Sequence, residues 1–121
     1  MLLFVYGTLK RGEFNEGLLS RSVFAGVTRT EKKFIMYRYP QSYPFVIPVA
    51  YGEHDASTIQ GEVYDVTASD FIPIFRIESS AGYDLEEVLL ENGAVALMFV
   101  YANLLLPGDG AEHVPSGEWV L

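Results

Sequence analysis

Cysteine is absent from this 121-residue chain, and that single absence removes disulfides, thiolate nucleophiles and cysteine-ligated metals together. Histidine is nearly absent too: only His54 and His113 occur, so a serine–histidine triad is improbable, and no G-x-S-x-G elbow is present to hold its serine. Basic residues are few and scattered, and a formal net charge of −8 opposes any polyanionic partner, which excludes nucleic acid. Long apolar runs are also missing. Leu2 to Tyr6 is too short for a signal-peptide core, and no stretch approaches the roughly 18 residues of a membrane span, so the sequence predicts no membrane association and a cytoplasmic location. What is present is an apolar half, enough to bury a core without staples, and a length that fits one domain over residues 1–121.

Leu2-Leu3-Phe4-Val5-Tyr6, halted by Gly7, has the pattern of a strand buried on both faces in the middle of a sheet. A short helix around Leu18-Leu19 precedes strand-like runs at Val23 to Thr30 and Lys33 to Tyr39. Pro40, Pro44 and Pro48 confine Tyr39 to Gly52 to extended chain or an edge strand, since proline cannot donate to a ladder. Gly61 to Val66 reads as a further strand. Phe71, Ile74, Phe75 and Glu78 recur at helical spacing over Ala68 to Ser79; Pro73 favours a start at Asp70, where it would sit in the first turn. Asn92-Gly93 between Tyr83–Glu91 and Ala94–Leu104 predicts a hairpin with a type I′ turn. Val95 to Val100 is apolar on both faces, which implies cover from both sides. The segment from Pro107 to Gly117 reads as a surface loop, followed by an apolar anchor at Trp119 to Leu121. The fold class is α+β: a small curled mixed β-barrel or sheet with short helices packed outside.

Two features carry possible chemistry. Glu78 falls on the apolar side of its helix, where burial raises a carboxyl pKa toward the range useful for general acid–base work; the alternative is a carboxylate turned to solvent or paired with Arg76 or a distant cation. Tyr6-Gly7-Thr8-Leu9 ends a buried strand in a glycine turn whose amides could hold a carboxylate or an oxyanion, although one glycine after a strand is also how an ordinary turn is written. Glu53-His54-Asp55 gathers possible metal ligands, but neighbours in sequence do not converge on one ion, so no metal site is expected. Glu86, Glu87 and Glu91 read as a solvated edge.

Val5-Tyr6-Gly7-Thr8-Leu9-Lys10-Arg11-Gly12 resembles the N-terminal signature of the gamma-glutamylcyclotransferase-like superfamily, in particular its gamma-glutamylamine cyclotransferase branch. The resemblance continues through Tyr43-Pro44-Phe45-Val46-Ile47, Gly52-Glu53-His54, Gly61-Glu62-Val63-Tyr64 and Ser116-Gly117-Glu118-Trp119. It implies that Tyr6, Gly7, Thr8 and Leu9 supply substrate-binding groups and that Glu78 is the catalytic base. Two departures stand out. Family members often carry Asp where this chain has Phe75, and Tyr-x-Arg where it has Tyr83-Asp84-Leu85.

The resemblance implies intramolecular chemistry on a small gamma-glutamyl substrate. The substrate's own α-amine attacks its γ-carbonyl, 5-oxoproline forms, and an amine leaves. Such a reaction needs positioning and proton transfer but neither a metal nor an organic cofactor. A catalytically inactive small-molecule-binding protein on the same fold is the alternative, and an interaction domain is a more distant one. The chain is expected to act as a monomer or weak homodimer.

Overall fold

The computed structural model describes residues 1–12, 16–39, 43–49, 56–101 and 110–120. Its strands are β1 (Leu2–Val5), β2 (Val23–Arg29), β3 (Phe34–Arg38), β4 (Pro44–Pro48), β5 (Gln60–Asp65), β6 (Tyr83–Leu89), β7 (Val95–Tyr101) and β8 (Glu112–His113). One α-helix, α1 (Ala68–Ser80), and a 3₁₀ turn at Glu16–Leu19 complete the elements. Five strands form a mixed sheet in the order β2-β5-β1-β7-β6, and three form a second sheet in the order β4-β3-β8. The expected α+β class holds. The sheets curl against one another without closing into a barrel.

β1 occupies the middle of the larger sheet, antiparallel to β5 and parallel to β7, as its uninterrupted apolar run requires. Its side chains alternate between two cores. Phe4 joins Met36, Val46, Met98 and Trp119 on one face, whereas Leu3 and Val5 join Ile35, Phe45, Ile74, Tyr83 and Phe99 on the other. The second hairpin strand does the same: Ala96, Met98 and Val100 serve the first core and Phe99 the second, so both faces are covered from Ala96 onward. Trp119 is buried, and the apolar anchor expected at the end of the chain is in place there.

Four details differ from expectation. The hairpin register pairs Leu89 with Val95, so the loop is three residues, Glu91 to Gly93, and not a two-residue type I′ turn. The Gly93 amide closes it on the Leu90 carbonyl at 2.9 Å with φ of 89°, because a three-residue loop places its left-handed residue last. α1 starts at Ala68 rather than Asp70: Thr67 caps it, its hydroxyl accepting from the Asp70 amide at 3.2 Å. Pro73 therefore lies inside the helix but on its exposed side. Phe75 is also turned outward, 41% exposed and stacked on Phe71, so the core-facing line of the helix is Asp70, Ile74 and Glu78. Finally, Glu112–His113 is no loop but adds β8 to β3, pairing Tyr37 with His113.

Tyr39 to Gly52 resolves in part. Pro44–Pro48 forms the edge strand β4, with proline at both ends where the ladder needs no donor. Among the described residues no helix is long and apolar enough to cross a membrane.

Candidate active site

Glu78 stands on the last turn of α1, one helical step beyond the fully buried Ile74. It is half-buried. Among the described residues its carboxylate has neither hydrogen-bond donor nor ion-pair partner, and the last helical turn contains no basic residue to offset its charge. Burial raises its pKa above the ordinary glutamate range. Arg76, the partner considered from sequence, is exposed and makes no ion pair with it.

Two phenols lie close enough to feel that carboxylate. The Tyr6 hydroxyl is pushed well above its usual pKa by burial first, then by Tyr83 and Glu78. Tyr83 is likewise raised by burial and then by Glu78. Both stay neutral donors. Tyr6 donates to the Phe99 carbonyl at 2.7 Å, and Tyr83 to the Pro44 carbonyl at 3.3 Å. The first bond ties the exit of β1 to β7 and the second ties the beginning of β6 to the start of β4, a corner with the end of α1 beside it.

Gly7 sits in that corner for a steric reason. A Cβ on it would lie 2.8 Å from Cγ of Pro44, so only glycine lets the turn and β4 approach so closely. The turn closes when the Lys10 amide donates to the Gly7 carbonyl at 3.0 Å, which leaves the Leu9 amide without a backbone acceptor among the described residues. The Leu9 side chain is buried in the second core beside Leu19 and Ile74 and anchors the loop, while Thr8 is half-buried. The Tyr6 to Leu9 turn and Glu78 are therefore brought to the same corner from opposite halves of the chain. Glu53-His54-Asp55 lies outside the described residues, and among those described no cluster of three or more histidine or acidic side chains could hold a metal ion.

Sequence reasoning singled out Tyr6 but missed Tyr83 and the rings beyond it. Beyond Tyr83 the rings continue through Tyr101 (centroids 5.5 Å apart), Phe45 (5.3 Å further) and Tyr39 (5.5 Å), with Tyr43 5.4 Å from Tyr39. Tyr43 is raised in pKa by burial and by Tyr39 and Tyr101, so these phenols share one neighbourhood. The available signal was Tyr39 and Tyr83 at the ends of strand-like runs and Tyr101 inside a third, but only pairing shows that these positions meet. A separate surface hollow, lined by Arg11, Leu19, Ser22, Phe24 and Tyr64, lies at the other end of α1, where Ser22 bonds to Asp70.

None of the curated proteins compared with the chain matches it significantly. Solved structures do. An uncharacterized protein from Pyrococcus horikoshii is 25% identical with a TM-score of 0.74, over 98% of this chain and 88% of that one. An AIG2-like protein from Mus musculus is 22% identical with a TM-score of 0.68, over 95% and 86%. An allophanate hydrolase from Kluyveromyces lactis contains the same fold within a longer chain: 20% identity and a TM-score of 0.75, over 93% of this chain but 19% of the hydrolase. The family described as gamma-glutamyl cyclotransferase, AIG2-like, matches residues 3–121. With that match spanning nearly every residue, and its fold shared by an AIG2-like protein, the chain belongs to the gamma-glutamyl cyclotransferase, AIG2-like family.

Proposed function

We propose that this protein is a cytoplasmic cyclotransferase that converts a gamma-glutamyl amine or gamma-glutamyl amino acid to 5-oxoproline and releases the free amine. The observation that carries the reading is Glu78: a half-buried carboxylate with a raised pKa, no partner among the described residues, and a place beside the Tyr6 turn. An acid held without a partner is a cost to the fold, and acid–base chemistry is the use that explains it.

The substrate supplies its own nucleophile. Its α-ammonium group loses one proton to solvent, and the free amine attacks the γ-carbonyl carbon to close the five-membered ring. Glu78 accepts the next proton from the attacking nitrogen as the new C–N bond forms, leaving a lactam N–H. It then returns that proton to the departing nitrogen as the old C–N bond breaks. Holding the bent conformer supplies on the order of 7–11 kcal/mol, and the proton shuttle about 10²–10⁴-fold in rate. Amides of the Tyr6 to Leu9 turn hold the substrate's α-carboxylate or the oxyanion of the tetrahedral intermediate. Neutral phenols at Tyr6 and Tyr83 keep this corner free of a second negative charge.

The test is release of 5-oxoproline from gamma-glutamyl-ε-lysine, a gamma-glutamyl-α-amino acid and glutathione, each beside a Glu78→Gln control. Product that disappears in the control supports the enzyme. Saturable binding of these compounds with no product from any of them would point instead to a binding protein on the same fold.

A further inference from the structure

The Tyr6 to Leu9 turn is anchored on both sides by bonds that reach across the molecule. Before it, the Tyr6 hydroxyl donates to the Phe99 carbonyl of β7. After it, the Arg11 amide donates to Glu62 Oε1 of β5 at 2.7 Å, an oxygen that the Tyr64 hydroxyl also approaches at 3.4 Å. Lys10 stands between these anchors and is used twice. Its amide closes the turn on the Gly7 carbonyl at 3.0 Å, and its ammonium group donates at 2.6 Å to the carbonyl of Trp119, 109 residues away in sequence.

That acceptor is itself firmly held. Trp119 is 2% exposed and packs in the first core. Just before it, the Ser116 carbonyl accepts from Arg29 at 2.7 Å and the Gly117 carbonyl from the Gln60 amide at 2.9 Å. Gly117 is packed so closely that a Cβ on it would lie 2.1 Å from the Thr58 carbonyl oxygen. The Trp119 carbonyl is therefore placed by β2, β5 and the core, independently of Lys10.

The choice of partner points the same way. In a chain with 16 acidic and 8 basic residues, Arg11, Lys32 and Arg38 pair with carboxylates. Lys10 is half-buried and makes no ion pair among the described residues; its ammonium meets a neutral carbonyl and lies 5.9 Å from the centroid of the Trp119 ring. A lysine kept for charge balance has acids to choose from. A charged donor aimed at a fixed carbonyl sets a position instead.

On the reading of the reaction given above, we infer that Lys10 is a positioning residue: it straps the substrate turn to the C-terminal segment and so aims the Leu9 amide at the carboxylate or oxyanion. That amide has no backbone acceptor among the described residues, so its direction is set by the buried Leu9 side chain and by the anchors around it. A donor held in advance is what stabilises charge as it develops.

Three variants test this. Lys10→Met keeps the stem and removes the donor, Lys10→Arg keeps a donor, and Lys32→Met removes the same charge from the Lys32–Glu86 pair. Turnover is read as 5-oxoproline release from the three gamma-glutamyl compounds above. Two readouts report structure alone: amide hydrogen exchange at position 10 follows the turn, while exchange at Gln60 and the emission of Trp119, the chain's one tryptophan, follow the docked C-terminal segment. Lys10→Met should lower kcat/KM by about 10- to 100-fold and speed exchange at position 10 at least about tenfold, with Gln60 and Trp119 unchanged. Lys10→Arg should recover most of both losses, and Lys32→Met should show neither. A fall confined to kcat puts the oxyanion on the turn; a rise confined to KM puts the α-carboxylate there. The assignment is overturned if Lys10→Met turns over like the wild type, or if it loses activity with no change in exchange at position 10. It is equally overturned if Gln60 and Trp119 loosen with the turn or the chain unfolds, because Lys10 would then only secure the end of the chain. A wild type that releases no 5-oxoproline sinks the cyclotransferase reading, and exchange at position 10 then decides by itself whether Lys10 holds the turn.

Discussion

Helix α1 carries two carboxylates on one line, and the fold treats them in opposite ways. Asp70, in the first turn, is 7% exposed, and its Oδ2 accepts from the Arg21 amide at 2.9 Å and the Ser22 hydroxyl at 2.7 Å, at the helix end where the dipole favours an anion. Glu78, two turns on, has no donor among the described residues and sits at the end where the dipole opposes it. Burial alone therefore does not mark a functional acid. Asp70 is the latch that holds the segment after the 3₁₀ turn against the helix, and Glu78 is the acid that the proposed reaction uses.

The largest effect that would separate them is catalytic. Glu78→Gln should lower kcat by about 10²–10⁴-fold with the circular dichroism spectrum intact, while Asp70→Asn should leave turnover per folded molecule within a few-fold. Equal losses from both variants would erase the distinction. Next in size is stability: Asp70→Ala strips the acceptor from two donors at the helix start and should cost about 1–3 kcal/mol in urea unfolding. Gly7→Ala drives a methyl group into Pro44 and should cost a comparable ~1–3 kcal/mol, with an added fall in activity because β4 and the Tyr83 bond shift together.

The smallest effect has the clearest sign. Because the pKa of Glu78 is raised in the folded state, its ionisation favours unfolding: the penalty is fully present above the folded pKa and disappears as pH falls below the unfolded value. Glu78→Gln should therefore stabilise the protein by roughly 0.5–2 kcal/mol at pH 8. That gain should fade toward pH 4. Loss of stability at pH 8 would mean that the carboxylate has a partner after all.

Much of the frame was legible from sequence because it rests on local rules. The apolar run Leu2 to Tyr6 fitted a central strand, Asn92-Gly93 marked the reversal between β6 and β7, and Trp119 was recognisable as an anchor. The errors arose where a tertiary contact outweighed a local preference. Thr67 caps α1 and its first turn is pinned through Asp70 to Arg21 and Ser22, so the helix tolerates Pro73 inside it rather than starting later. Phe75 matched the apolar spacing of Ile74 but stacks on Phe71 at the surface. Two residues cannot signal a strand, so β8 exists only because β3 offers it an edge. For the site, spacing reached Glu78 but not its environment. The tyrosine cluster joins residues from four strand ends, which no single stretch of sequence brings together.

Titration of the Glu78 side-chain carboxyl by carbon-13 NMR, run beside the pH profile of kcat/KM, tests the central claim most directly. An unpaired, half-buried general base should titrate above the ordinary glutamate value of about 4.3, and activity should fall on acidification along the same curve. A carboxyl that titrates at or below that value, or an acid limb that ignores it, would contradict the account.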